Sequence, residues 1–199
     1  MDFESLVRHA RQYAGAVSQD LRQQLAAGQN PQALFICCSD SRVIPAHMTN
    51  APPGSLFELR TAGNVVPEYT PYEPSSEMAT IEYAVQILQV PNIVVCGHSH
   101  CGAVTALTLA GRGLESLPAM RNWLGISSSG DGAELTDPAV RAESKQHVLN
   151  QLRTLREYPF VRARVEQGLL QLHGWFYEID TGLVYQCPQD DENGDFLPL

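Results

Sequence analysis

The sequence predicts an α/β fold, a mostly parallel central sheet flanked by helices, and three observations carry that expectation. "ALFICC" is a short apolar run with aromatic and β-branched members, "NIVVCG" is another buried run, and a strand is read around "SLFELR" between them. Stretches with helical spacing separate them. The runs read as apolar on both faces, the pattern of strands covered above and below by crossover helices.

Element by element, the chain opens with apolar residues at Phe3, Leu6, Val7, Ala10, Tyr13, Ala14, Val17, Leu21 and Leu25. That near-helical period predicts one helical arm to about Ala27, sticky along one face. "GQNPQ" breaks it, and the strands "ALFICC" and "SLFELR" follow. After the proline-rich loop "VVPEYTPYEP", Ser75 or Ser76 caps a helix through "EMATIEYAVQIL" that stops before Pro91. "NIVVCG" is the third strand. It opens onto "HSHCGAVTAL", where Gly102 and small residues begin another helix. "SSSGDG" at 127–132 reads as a mobile connector, and a helix runs roughly from Pro138 to Tyr158. "LLQLHGWFYEI", "DTG" and "LVYQC" read as two strands about a tight turn, a hairpin on the edge of the sheet. At 199 residues one domain suffices: an arm over 1–28, an α/β core over 33–187 and an acidic, peripheral tail over 188–199.

Charge narrows the functional classes. With 22 acidic residues against 13 Lys and Arg, the net charge of −9 leaves no basic stripe for nucleic acid or an anionic membrane. The N-terminus carries acids and no apolar targeting core, and no run approaches the ~20 apolar residues of a membrane span. A cytoplasmic protein is expected. Five cysteines, an odd number without framework spacing, are read as reduced thiols free to bind metal.

Two strand ends carry the chemistry. In parallel α/β sheets the reactive loops lie at the carboxyl ends of the strands, where Cys38 and His98 fall. "CGHSHCGA" offers His98 and Cys101 in an H-x-x-C turn, and Cys38 would be a third ligand. Imidazole with thiolates suits zinc, and three protein ligands leave an open position, the mark of a catalytic site. Cys37, Cys96 and Cys187 have no such partners and are assigned to core packing. Asp40 stands two residues from Cys38 and could itself close the open position. Arg42 can prevent this by holding the carboxylate in a bidentate pair, from which Asp40 orients solvent toward a substrate. Taken without the cysteines, the same pair would be an ordinary loop ion pair.

These residues resemble the β-class carbonic anhydrase family over nearly the whole chain: "CSDSR", "RTAGNVVP", "ATIEYAV", "GHSHCGA" and "LHGWFYEI". The resemblance implies zinc on Cys38, His98 and Cys101, an Asp40–Arg42 dyad, and reversible hydration of carbon dioxide to bicarbonate by hydroxide on zinc. It implies that the Gln29 amide donates to a substrate oxygen, with Phe57, Ala62, Tyr83 and Gly102 around the same pocket. Without the family, Phe57 and Ala62 read as core and Gln29 as turn decoration. Gln29 present, and Phe35 where a second branch has tryptophan, resemble the plant-like, open-site branch. Arg60 matches a regulatory position of that second branch or serves structure alone. His100, an imidazole beside the ligands, is a candidate proton carrier. The resemblance further implies a homodimer or larger homo-oligomer joined through the arm and a sheet edge. Two alternatives stand beside this reading: hydrolysis of carbonyl sulfide or carbon disulfide on the same scaffold, and a non-catalytic zinc or thiol module.

Overall fold

In the computed structural model, which describes every residue except 127–136 and 189–193, four parallel strands form the heart of a six-stranded sheet. They are β1 (Ala33–Cys38), β2 (Leu56–Thr61), β3 (Asn92–His98) and β4 (Gln171–Tyr177); β5 (Val184–Cys187) and β6 (Leu197–Pro198) continue it antiparallel. The order is β2-β1-β3-β4-β5-β6. This sheet and its helices make up one unit, Pro31–Leu199; Met1–Asn30 is a second.

All six residues of β1 are buried because it lies between β2 and β3. Its two faces feed different clusters. Leu34 and Ile36 pack with Ile93, Val95, Ile81, Val148 and Leu152, whereas Phe35 and Cys37 pack with Val94, Cys96 and Val43. Cys38, at the end, joins Cys101, Val104 and Val140 instead. Alternation along a strand produces this division.

The helices of this unit are α3 (Pro45–Thr49), α4 (Ser76–Glu82), α5 (Gly102–Thr108), α6 (Pro118–Trp123), α7 (Asp137–Glu157) and α8 (Pro159–Glu166) when numbered after the two of the N-terminal unit. Ser75 caps α4 by accepting the Met78 N–H at 3.2 Å, and a wider π turn at Tyr83–Ile87 extends it. The expected helices at Gly102 and near Pro138 are α5 and α7. Three helices add to those expected, α3, α6 and α8, each of which starts at a proline, a residue whose fixed φ suits the first helical position. α7 lies close on β3 and β4 because both strands carry glycine beneath it. A Cβ on Gly97 would stand 2.7 Å from Val148 Cγ2, and one on Gly174 would stand 3.0 Å from Leu152 Cδ1.

Two expectations are revised. The β4–β5 hairpin lies on one flank of the sheet, β4 on β3 and β5 outside it, but a further strand closes that flank. The edge belongs to Leu197–Pro198 of the tail, and Phe196 packs on Phe176 with ring centroids 6.4 Å apart. The single N-terminal helix is two, α1 (Phe3–Ala16) and α2 (Gln19–Ala26). Val17 is extended, and Ser18 caps α2 by accepting the Leu21 N–H at 3.2 Å. A serine hydroxyl inside a helical pattern favours such a fresh start. No residue of α1 or α2 is buried, and Phe3, Leu6 and Tyr13 are more than half exposed. The connector expected at "SSSGDG" lies outside the described residues.

Candidate metal centre

The parallel register delivers two ligand loops to the same end of the sheet. Cys37 pairs with Cys96, so Cys38 and His98 leave neighbouring strands almost together. The backbone then turns at Ser99 and His100, the latter in the left-handed region at φ 55°, and brings Cys101 to the start of α5. Cys38, His98 and Cys101 are all buried, and their donor atoms lie within 4.8 Å of one another.

The fit to a divalent ion can be read from the donors. His98 Nδ1 donates to the Ser99 carbonyl at 2.8 Å, which leaves Nε2 bare, buried and without a hydrogen bond. An orphaned polar atom of this kind is costly unless something outside the chain completes it. The Cys38 thiol is pulled down chiefly by the adjacent Cys101 thiol, then by the His98 ring and the Gly63 N–H, against its burial. Cys101 moves the opposite way, chiefly because it donates to Cys38. A metal bound there needs both sulfurs as thiolates and would release their protons. Two sulfurs and one imidazole nitrogen match zinc. Cys37, by contrast, is pushed up to about 12 by burial and stays a thiol; Cys96 and Cys187 are likewise buried away from the cluster.

Asp40 and Arg42 form the bidentate pair expected of them, Nε to Oδ1 at 2.9 Å and Nη2 to Oδ2 at 2.7 Å. The guanidinium holds the carboxyl well below the usual carboxylate range. Asp40 Oδ2 lies 4.0 Å from His98 Nε2, and Arg42 also donates to the His100 carbonyl at 3.1 Å, tying one ligand loop to the other. Arg60 donates to the carbonyls of Cys38, Asp40 and Val43 at 3.1, 2.8 and 2.7 Å. Its observed work is to shape the first ligand loop. His100 Nε2 meets Asp180 Oδ2 at 2.7 Å.

Of the pocket residues, Ala62 lines a cleft of about 420 Å³ with Ser39, Arg60, Thr61, Met120 and Trp123. Gly102 is exposed, with open space where a Cβ would stand. Phe57 and Tyr83 meet each other, ring centroids 5.9 Å apart, but not the cluster. Phe57 pairs with Leu34, about 13 Å along the strands from Cys38 at ~3.3 Å per residue. Gln29 is exposed and belongs to the N-terminal unit.

The sequence pattern assigns no role to Gly63, His147, Gln151 or Asp180. "RTAGNVVP" includes Gly63 only within the family resemblance, and "DTG" includes Asp180 only as part of a turn. Nothing in the sequence pointed to His147 or Gln151, which lie on a helix more than a hundred residues beyond Cys38.

Comparison with known proteins follows this geometry closely. A family profile described as carbonic anhydrase matches residues 33–184. The carbonic anhydrase of Pseudomonas aeruginosa is 43% identical over 187 residues, covering 91% of this chain and 84% of its own. That of Synechococcus elongatus is 39% identical over 204 residues, covering 97% and 74%. Among solved structures, the β-carbonic anhydrase CcaA superposes with a TM-score of 0.84 at 35% identity, covering 98% of this chain and 97% of that one. A structure from a study of two tetrameric β-carbonic anhydrases of Sordaria macrospora gives 0.71 at 26%, covering 92% and 95%.

Proposed function

This chain belongs to the β-class carbonic anhydrase family, and from that premise we propose that it works as a member of the plant-like, open-site branch. It is a zinc lyase that interconverts carbon dioxide and bicarbonate, with the metal on Cys38, His98 and Cys101. One observation carries the open-site reading: Asp40 is engaged on both oxygens by Arg42, with Oδ2 4.0 Å from the bare His98 nitrogen. A carboxylate so occupied stays beside the metal position rather than in it.

When bound, zinc supplies Lewis acidity that brings the ionisation of water to about pH 7, a value for which carbonic anhydrase with three histidine ligands is itself the standard example. The chain's residues do the rest. Asp40 accepts a hydrogen bond from the attacking water and aims its lone pair at the carbon; Arg42 fixes Asp40 in that task. Ala62 and Gly102 leave apolar room for a linear gas. Gln29 donates to a substrate oxygen, and Phe57 and Tyr83 complete the wall. The distance of these two aromatic rings from Cys38 supports a homodimer in which each chain furnishes them to the other's pocket. His100, held by Asp180, carries the released proton outward. Five buried cysteines, none of them in a disulfide, favour a reducing, cytoplasmic setting; among the described residues no helix is long and apolar enough to cross a membrane.

Stopped-flow hydration of carbon dioxide across pH, on wild type and Cys38→Ser, tests this reading. Expected are rapid turnover rising with pH in wild type and near-complete loss in the variant, together with loss of zinc. Preference for carbonyl sulfide would replace the substrate, and stoichiometric zinc without turnover would leave a structural site.

A further inference from the structure

Behind the metal cluster a buried relay connects α7 to the Cys38 sulfur. Gly63 sits at φ 75°, in the left-handed region, and its N–H donates to Cys38 Sγ at 3.4 Å. The next link is the carbonyl of the same residue. Gly63 O meets His147 Nε2 at 2.8 Å, and His147 Nδ1 faces Gln151 Nε2 at 3.5 Å. Gln151 Oε1 accepts the Val66 N–H at 2.7 Å. His147 and Gln151 are both buried, at 7% and 8% exposure.

Donors and acceptors leave one consistent assignment. A backbone N–H can only donate, so Gln151 presents its oxygen to Val66 and its NH2 to His147. His147 Nδ1 therefore accepts, and Nε2–H donates to the Gly63 carbonyl. The imidazole is neutral, in keeping with the lowering of its pKa by burial. Gly63 is thus gripped from behind on the carbonyl and offers its N–H to a metal-binding thiolate in front. Replacing this glycine is no alternative route to the same turn, since a Cβ would stand 2.8 Å from Ala103 Cβ.

We propose that His147 and Gln151 are positioning residues of the metal centre, holding the Gly63 backbone so that its N–H bonds the Cys38 thiolate. The inference rests on zinc at Cys38, His98 and Cys101. An N–H bond to a thiolate draws charge from sulfur, lowers its donor orbitals and fixes its direction. Groups that orient metal ligands in this way characteristically change metal affinity by about 10–100-fold when removed.

The test uses full-length protein loaded with zinc or cobalt. His147→Ala should bind zinc about tenfold or more weakly in competition with a chromophoric chelator. Its cobalt form should show the thiolate-to-cobalt charge-transfer band moved to longer wavelength. His147→Gln, which retains an N–H donor for the Gly63 carbonyl, should recover much of both properties, and Gln151→Met should weaken zinc in the same direction. Val148→Ala is the control for packing: it neighbours His147, is fully buried and has a side chain with no polar atom, so it should lower the melting temperature and leave the cobalt spectrum alone. Wild-type zinc affinity and an unmoved band in folded His147→Ala, or equal shifts in Val148→Ala, would overturn the proposal. Failure of wild type itself to bind one equivalent of either metal at thiolates would instead remove the zinc site on which it rests.

Discussion

Asp40 shows how one side chain can be decided by its neighbour. A free carboxylate beside a zinc position is an attractive fourth ligand, yet Arg42 takes both oxygens and its own backbone N–H adds a third bond at 2.9 Å. Asp40→Asn keeps the volume and removes the charge. It should retain full zinc by elemental analysis and lose about 10²-fold or more in hydration rate, the scale of a lost general acid–base group. The five residues "CSDSR" made this dyad legible, because thiol, acid and cation adjacent in sequence stay adjacent in space. The three metal ligands were legible for the same local reason, two strand ends and a turn. His147 was not. It reaches Gly63 only because a distant helix docks beside it, and a lone histidine on a helix carries no mark of that in its own neighbourhood.

Strands dominated by β-branched and aromatic residues were readable almost to their ends, since β1 and β3 are buried on both faces and have no polar alternation to blur them. The helices were less so: a cap inside the arm split one pattern in two, and prolines that begin α3, α6 and α8 carry the same letter as prolines that break helices. The pairing of β3 with β4 adds a titration. His173 on β4 meets Asn92 of β3 at 2.9 Å, Nε2 to Oδ1, and burial lowers its pKa below the ordinary 6.5. The unfolded chain therefore binds the proton more readily, and stability falls as pH drops below that value. In His173→Gln, urea unfolding between about pH 7 and about pH 5 should show a shallower decline.

On the molecular scale, the α/β unit accounts for its own burial, and the N-terminal unit does not. Phe3, Leu6 and Tyr13 are 73%, 53% and 61% exposed on one helix, an apolar stripe that needs a partner surface. If a second copy supplies it, Leu6→Glu should shift the sedimenting species toward monomer and reduce hydration, while zinc per chain and the sheet's circular dichroism stay as in wild type. A stripe along one helix face is legible from periodicity alone. What covers it is not, because sequence periodicity describes one surface of a contact and leaves the other blank.

The doublet of β1 ties these scales together. Cys37 faces Phe35 and Cys96, Cys38 faces Cys101, and only the alternation of the strand separates their fates. A slip of one position along this ribbon would still present a sulfur to the ion. The acid and the base that follow would then fall out of phase with it. Such a chain would look loaded and stand idle, so the neighbouring thiols turn fidelity of strand alignment into a condition for turnover.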